Sequence, residues 1–309
     1  MSKVGAIGAV TVVVSLATAA AAFSVLQRDH PAVAWAALLS VIWLPGLVMA
    51  VGTLVAAAVV KRRQPANSAT ALEWGVAFFR EWLAYLVVFV WRQPFRWRAH
   101  PDPVVTVPTP TVVLVHGYVC NRGFWHPWMR ALKQRGWTWR AISLEPVLGD
   151  IDEMVDRLDP VLQQAFSAGA PVAIVAHSMG GLVTRAWLAR QPRWPDGLSA
   201  CVTIGSPHRG TWVARLAGSV AGRQMREDSP WIAALSSSEP ADRFGRFLCW
   251  RSLTDHVVYP PDNASLPGAT NRVVRCAGHV DLAFQPAVMT ESLDWVASAF
   301  SSSEARTRS

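Results

Sequence analysis

Charged residues are scarce in this 309-residue chain, and two long segments near its beginning contain none. Charged side chains make up 16% of the residues, and 29 basic against 21 acidic residues give a net charge of +8. The uncharged segments span residues 4–26 and 32–60. A helix gains about 1.5 Å per residue, so either segment is long enough to cross a hydrocarbon core of roughly 30 Å. Their composition argues against a water-soluble core and predicts membrane-spanning helices.

The chain also lacks the residue spacings that hold metals and nucleotide cofactors. Its four cysteines and eight histidines form neither a Cys-x-x-Cys nor a His-Glu-x-x-His motif. No acidic calcium loop is present, and no Gly-x-Gly-x-x-Gly turn follows a predicted strand. The sequence therefore predicts no metal and no cofactor. Nucleic-acid motifs are missing as well, so we assign the positive charge to contact with membrane lipids and not to nucleic acid.

The small number of cysteines does not decide the redox compartment. Cys201, Cys249 and Cys276 fall within predicted buried strands, where a thiol packs as a small apolar group. Reduced thiols agree with a cytoplasmic domain, whereas an oxidising compartment would allow Cys249 to pair with either of the other two.

A short polar link at residues 27–31 joins the two uncharged segments, so we expect a transmembrane helical hairpin over residues 1–63. The alternative for the first segment is a cleaved signal peptide, but a second long apolar run follows it directly. Lys3 precedes the first uncharged segment and Lys61-Arg62-Arg63 follows the second. Because positive charge favours the cytoplasmic side, both ends of the hairpin are expected in the cytoplasm, with the bacterial inner membrane as the predicted location.

A third apolar stretch, residues 74–91, lies within a predicted unit of interfacial helix and proline-rich linker at residues 64–110. Arg80 and Glu81 interrupt it, and the uninterrupted remainder is too short to span a bilayer. Aromatic residues and nearby arginines favour a helix lying in the headgroup region, which keeps the following domain cytoplasmic. The alternative, a third span, would move that domain to the opposite side.

A serine between a predicted strand and a predicted helix is the strongest chemical signal in the chain. The apolar run 171–176 leads into His177-Ser178-Met179-Gly180, and an amphipathic segment follows at 182–190. Small residues two positions before and after Ser178 let such a turn close tightly and expose the hydroxyl. Ser178 is the candidate nucleophile, and the backbone N–H of Met179 is a candidate donor to the oxyanion. A purely structural turn is the alternative.

A second loop is placed where the same chemistry needs it. The apolar run 111–115 ends in His116-Gly117-Tyr118. Acyl transfer uses two backbone donors on the tetrahedral oxygen, one of them from a loop after an earlier strand. Gly117 allows the chain to turn the N–H of Tyr118 toward the serine, so Tyr118 is the second candidate donor, with an ordinary strand-ending turn as the alternative.

These two motifs, together with Gly205-Ser206-Pro207-His208-Arg209-Gly210-Thr211, resemble the bacterial lipases and esterases of the α/β-hydrolase superfamily. Residues 224–231 also resemble a stretch that these lipase-like hydrolases carry after their sixth strand. The resemblance covers residues 111–300 and leaves the first hundred residues outside. It implies a serine, an acid and a histidine in that order along the chain. Because the fold hosts several chemistries, the substrate class follows from analogy alone.

The resemblance also implies the two remaining triad positions. Asp255 follows the predicted strand 246–252 in a Thr-Asp-x-Val-Val setting that matches the family's acid, and His279 follows the predicted strand 272–276 in a setting like the family's histidine loop. His279 would take the proton from Ser178 and return it to the leaving alcohol, while Asp255 would orient the imidazole.

Other titratable residues close to these positions receive different roles. His116 and His177 are expected to hydrogen-bond within their loops rather than transfer protons, and His208 is expected near the site but outside the triad. Three residues are rivals of the triad members and are taken as surface charges: His256, Asp262 and Asp281.

Apolar strands and amphipathic helices alternate from residue 111 onward, which predicts a mostly parallel sheet of about six strands flanked by helices. We expect an α/β-hydrolase catalytic domain at 111–300, a cap or lid near 209–239, and a disordered tail at 301–309. The predicted strands lie near 111–116, 138–144, 171–177, 200–205, 246–252 and 272–276, and the predicted helices near 124–135, 151–168, 180–190 and 286–300.

Together these features predict a membrane-anchored serine hydrolase that cleaves carboxylic esters, by preference lipid esters, through an acyl-enzyme. Its expected partners are a lipid or small-molecule ester and the membrane lipids. An acyltransferase or thioesterase with the same triad is one alternative. A non-catalytic membrane scaffold that keeps the hydrolase fold is the other.

Overall fold

Two long helices begin the chain in a computed structural model that describes residues 2–240 and 242–308. Helix α1 (Lys3–Leu26) and helix α2 (Pro31–Arg63) pack against each other, and Pro45 lies inside α2 without ending it. Both helices are long and apolar enough to cross a membrane by length and composition, and so is the helical stretch Ala71–Phe95. Two or three candidate membrane spans therefore precede the rest of the chain.

The third helical stretch has two different faces. It comprises α3 (Ala71–Tyr85), a π-helical turn (Leu86–Arg92) and α4 (Gln93–Phe95). α3 begins at a capping box, in which the Thr70 hydroxyl accepts from the Glu73 N–H and the Glu73 carboxylate accepts from the Thr70 N–H. One face is buried against the rest of the protein. The other carries a stripe of exposed apolar side chains at Leu72, Val76, Phe79, Leu83, Val87, Trp91 and Phe95.

A single sheet of six parallel strands follows, in the order β2-β1-β3-β4-β5-β6. The central strands are buried at every position because helices cover both faces, which explains their continuous apolar runs. The strands are β1 (Thr111–Val115), β2 (Thr138–Ala141), β3 (Val172–His177), β4 (Leu198–Ile204), β5 (Phe247–Ser252) and β6 (Thr270–Val274).

The helices that pack on the sheet follow the predicted alternation. They are α5 (His126–Gln134), α6 (Ile151–Phe166), α7 (Met179–Ala189) and α11 (Pro286–Arg308). A further short helix that the sequence analysis does not predict, α10 (His279–Leu282), precedes α11 and packs against α3. A cap between β4 and β5 contains the 3₁₀ turn Trp212–Leu216 with α8 (Val220–Gln224) and α9 (Pro230–Ser238). All four cysteines are free thiols.

The end of the chain differs from the sequence-based expectation. Where a disordered tail is predicted over 301–309, α11 continues to Arg308. Neither proline nor glycine interrupts it there, and the hydroxyls of Ser301 and Ser302 donate to carbonyls one turn earlier.

Candidate active site

Four loops meet at the carboxyl edge of the parallel sheet, because parallel strands all end on the same side. The loop after β1 carries Tyr118, the turn after β3 carries Ser178, and the loops after β5 and β6 carry Asp255 and His279. The structure thus gathers residues that are up to 161 positions apart in sequence, and it places the candidate site in one cluster.

Ser178 lies on a sharp turn between β3 and α7. Its backbone has φ 54° and ψ −128°, a combination that non-glycine residues rarely adopt. Glycine is required nearby, since a Cβ on Gly180 would lie 2.4 Å from the carbonyl oxygen of Val115 and one on Gly181 would lie 2.2 Å from Ser206 Oγ. The turn is therefore closed tightly against the neighbouring strands, as the small residues around Ser178 predict.

Ser178, His279 and Asp255 form one chain of hydrogen bonds. The Ser178 Oγ lies 2.9 Å from His279 Nε2, and His279 Nδ1 lies 2.8 Å from Asp255 Oδ2. The other carboxylate oxygen, Asp255 Oδ1, accepts from the backbone N–H groups of Val257 and Val258 at 2.8 Å each. Because a carboxylate only accepts, His279 Nδ1 carries the proton, and Nε2 is left free to accept from the serine hydroxyl.

The electrostatics of this pair favour a charged Asp255 and a basic His279. Burial alone would raise the pKa of Asp255, but the charge of His279 and the hydrogen bonds to the carboxylate outweigh burial and lower it. Burial alone would lower the pKa of His279, but Asp255 and, further away, Glu81 outweigh burial and raise it. The geometry is that of a serine hydroxyl beside a base with an orienting acid.

The loop after β1 approaches the serine closely. A Cβ on Gly117 would lie 2.7 Å from the Cβ of Ser178, so only glycine fits at this contact. Within residues 2–240 and 242–308, neither the Tyr118 N–H nor the Met179 N–H donates to a protein acceptor. The Tyr118 hydroxyl reaches across to the cap, where it lies 2.7 Å from Ser219 Oγ.

His116 and His177 hydrogen-bond within the loops, as expected. His116 Nε2 accepts from the Leu144 N–H, so its Nδ1–H donates to the Gly117 carbonyl. His177 Nε2 donates to the carbonyl of His279. Burial lowers the pKa of His116 to about 4 and that of His177 to about 3, so both stay neutral. His208 is buried, with its Nε2 3.0 Å from Thr203 Oγ1.

The three rival residues are not all surface charges. Asp262 pairs with Arg251, whereas His256 and Asp281 are partly covered by the N-terminal helices. His256 lies against Gly52 of α2, and burial lowers its pKa to about 4. Sequence reasoning missed this cover because it treats the first hundred residues as separate from the site.

Two buried polar residues of the N-terminal segment also escaped sequence reasoning as parts of the site. Glu81 is 2% exposed and accepts from the backbone N–H groups of Val280 and Asp281 in the His279 loop. Gln93 is 1% exposed, and its side-chain oxygen accepts from the Asn121 N–H in the loop after β1. For Glu81 the available signal was a charge in the interior of an apolar helix, which the sequence analysis uses only as an argument about membrane spanning. For Gln93 there was no signal.

No group of three or more metal-binding side chains occurs in the part of the chain that the structure describes.

Comparisons with known proteins agree on the fold. A family model described as a PGAP1-like alpha/beta domain matches residues 147–241, about a third of the chain, which include the serine turn and most of the cap. No curated protein sequence matches the chain.

Two solved lipase structures share the fold. Lipase B from Aspergillus fumigatus is 17% identical with a TM-score of 0.57, over 64% of this chain and 56% of that one. A lipase from Bacillus licheniformis, BlEst2 in its mature form, is 18% identical with a TM-score of 0.50, over 63% of this chain and 96% of that one.

The chain spans little more than half the length of the Aspergillus lipase and nearly all of the Bacillus lipase. At these identities the likeness concerns the fold. The chain therefore has the α/β-hydrolase fold, as the sequence motifs predict, preceded by long apolar helices.

Proposed function

We propose that this protein is a membrane-anchored serine hydrolase that cleaves carboxylic esters through Ser178, His279 and Asp255. The observation that carries the proposal is the chain of 2.9 Å and 2.8 Å contacts from a serine on a strained turn, through an imidazole, to a buried carboxylate. That arrangement matches the roles of nucleophile, general base and orienting acid.

The reaction follows from the positions of the protons. Ser178 Oγ attacks the ester carbonyl carbon while His279 Nε2 takes the hydroxyl proton. The carbonyl oxygen becomes an oxyanion, for which the unpaired N–H groups of Tyr118 and Met179 are the donors. Collapse of this intermediate expels the alcohol, which receives the proton from His279. A water molecule, deprotonated by His279, then attacks the carbonyl carbon of the acyl-enzyme. The bond from that carbon to Ser178 Oγ breaks, His279 returns the proton to Ser178 Oγ, and the carboxylic acid is released.

Lipid-like esters are the proposed substrates. The solved structures that share the fold include two lipases, and the chain itself carries long apolar helices next to the site. The cap between β4 and β5 lies beside the site through the Tyr118–Ser219 contact, where it is suited to shape an acyl pocket.

The length of α2 supports an anchor that holds the site at the bilayer surface. Its 33 residues extend about 50 Å, roughly 20 Å more than a hydrocarbon core needs. Part of the excess lies at the C-terminal end, where Ala56 and Val60 are buried with Tyr259 of the α/β domain and Arg63 pairs with Glu227 at 2.8 Å. The exposed apolar part of α2 is the part left to contact lipid.

Ala71–Phe95 is better explained as a helix between lipid and protein than as a third span. Arg80 pairs with Asp281 at 3.3 Å, and Glu81 binds the same loop. A crossing of the bilayer would draw this loop of the α/β domain into the hydrocarbon core, where its polar backbone is unfavourable. The stripe of exposed apolar residues on the opposite face suits the headgroup region. This arrangement, with the basic ends of the hairpin, favours a cytoplasmic α/β domain at the bacterial inner membrane.

The test of the proposal is ester hydrolysis by full-length protein in detergent and in lipid vesicles, with p-nitrophenyl esters of increasing chain length. Ser178→Ala is expected to lower kcat by about 10⁴-fold or more and to abolish labelling by a fluorophosphonate. Ser206→Ala is the matched control, because its buried hydroxyl has no hydrogen-bond partner among the described residues. The control should keep wild-type activity.

Two results would redirect the proposal. Wild-type protein that is folded but neither labelled nor active would favour a non-catalytic scaffold. Predominant formation of a new ester when an alcohol acceptor is added would instead identify an acyltransferase that uses the same residues.

A further inference from the structure

We propose that Glu81 is a positioning residue for the general base. Glu81 lies on α3, and its carboxylate holds the loop that carries His279 in place. The inference rests on the proposed function. It connects a residue of the N-terminal segment to the reacting imidazole, 198 positions later in the sequence.

The contacts of Glu81 are directed at the backbone of that loop. Glu81 Oε1 and Oε2 each lie 2.9 Å from the Val280 nitrogen, and Oε2 lies 2.8 Å from the Asp281 nitrogen. Both donors directly follow His279. Burial raises the pKa of Glu81 to about 7, so its carboxylate is charged above that pH. Hydrogen bonds to a charged carboxylate are shorter and stronger than neutral ones, and this contact then restrains the peptide next to the imidazole.

The His279 loop lacks a side chain of its own for this task. His279 begins the short helix α10, and the first N–H groups of a helix have no partner within it. The residue at the capping position is Gly278, which has no side chain to accept from them. Glu81 supplies the missing acceptor from a different part of the chain.

Gly278 also explains how α3 comes so close. A Cβ at this position would lie 2.5 Å from the Cβ and from Oε2 of Glu81. Any larger residue would push the carboxylate out of reach of the loop. The contact between α3 and the His279 loop therefore requires both Gly278 and Glu81.

Charges around Glu81 tie it to the base electrostatically. Within the triad, the charge of His279 favours the ionised form of Glu81 and the charge of Asp255 disfavours it. The neighbouring Arg80 pairs with Asp281 and also donates to Gln285 at 2.6 Å. In the other direction, the negative charge of Glu81 contributes to the raised pKa of His279, after the larger contribution of Asp255. Loss of that charge should thus make His279 less basic.

The experiment compares full-length wild type with Glu81→Gln, which keeps the size of the side chain and removes its charge. We expect kcat on a short-chain ester to fall by about 10- to 100-fold with KM within about twofold, because small displacements of a catalytic group carry such penalties. We also expect the acid limb of the pH profile of kcat/KM to move to lower pH, which loosened packing alone would not produce.

Glu73→Gln is the matched control. Glu73 lies two turns earlier on the same helix and pairs with Arg275, an exposed residue four positions before His279, without contacting Val280 or Asp281. It should retain wild-type kcat and an unshifted acid limb. Equal losses in both variants would mean that the helix as a whole, and not the Glu81 contact, matters, and would overturn the inference.

The remaining outcomes are also decisive. An inactive, unlabelled wild type would defeat the proposed function itself, whereas an active wild type with an unchanged Glu81→Gln variant would defeat only this inference. If Glu81→Gln does not fold, Glu81→Asp replaces it, since the charge is kept but the carboxylate is drawn back. A roughly tenfold lower kcat with an unshifted acid limb then supports the inference, and wild-type kcat contradicts it.

Discussion

Three buried histidines lie together around the candidate nucleophile, and their surroundings give them different protonation behaviour. The rings of His177 and His279 pack against each other with centroids 4.7 Å apart, yet burial lowers the pKa of His177 while the pKa of His279 is raised. The difference is the carboxylate: only His279 faces Asp255. His116 and His177 therefore remain neutral donors and acceptors that fix the loops, and of these three histidines His279 is the one that can serve as a proton acceptor and donor.

The protonation of His279 sets the expected pH dependence. A general base must be neutral, and a pKa raised above the ordinary value of 6.5 means that the imidazole keeps its proton to a higher pH. The value of kcat/KM should fall as pH is lowered, with the midpoint above 6.5. A pH series with a soluble ester measures this midpoint.

Asp255→Asn provides the comparison. It should lower kcat by about 10⁴-fold and shift the remaining acid limb downward, because the main charge that raises the pKa of His279 is gone. A wild-type midpoint at or below 6.5, or an unshifted limb in the variant, would contradict the assignment.

Among the elements, those defined by local patterns were predictable and those defined by distant contacts were not. The strand–turn–helix around Ser178 can be predicted from the sequence because its apolar runs and small residues are contiguous. The order of the later motifs also suggested which residues meet Ser178. Glu81 and Gln93 gave no such signal, since their partners lie 199 and 28 positions away and are backbone N–H groups that any sequence possesses. The sequence analysis therefore predicts residues 74–91 only as a membrane-interface helix, although the buried face of Ala71–Phe95 contacts the loops of the candidate site.

The same element supports the loop after β1 through Gln93. Gln93→Leu keeps the approximate volume of the side chain but leaves the buried N–H of Asn121 without its acceptor. We expect the free energy of unfolding to fall by about 1–3 kcal/mol, measured by urea titration of tryptophan fluorescence in detergent. Gln134→Leu, at an exposed site on α5, should change it by less than about 0.5 kcal/mol. Equal stability of the two variants would show that the Gln93 contact is dispensable.

At the scale of the whole molecule, both ends of the helical hairpin return to the α/β domain. The Lys3 N–H donates to Glu145 at 2.6 Å, and Arg63 pairs with Glu227. The connection at residues 27–30 is exposed, as are many of the apolar side chains along both helices. The hairpin therefore enters and leaves the proposed membrane on the side where the domain lies.

This arrangement predicts the topology of the full chain. Reporters inserted after Asp29 should be found outside the cytoplasm, and reporters after Asn67, after Val105 and at the C-terminus should be found inside. Paired reporters that change activity across the membrane measure this directly. An external C-terminus together with an internal Asn67 would mean that Ala71–Phe95 crosses the bilayer after all.

The excess length of α2 has a kinetic consequence. An enzyme anchored in the bilayer by such a hairpin would meet a lipid substrate by lateral diffusion within the bilayer, not by collision from bulk solution. Its turnover should scale with the mole fraction of substrate in the vesicle surface, and dilution of the whole suspension should leave the rate per enzyme unchanged.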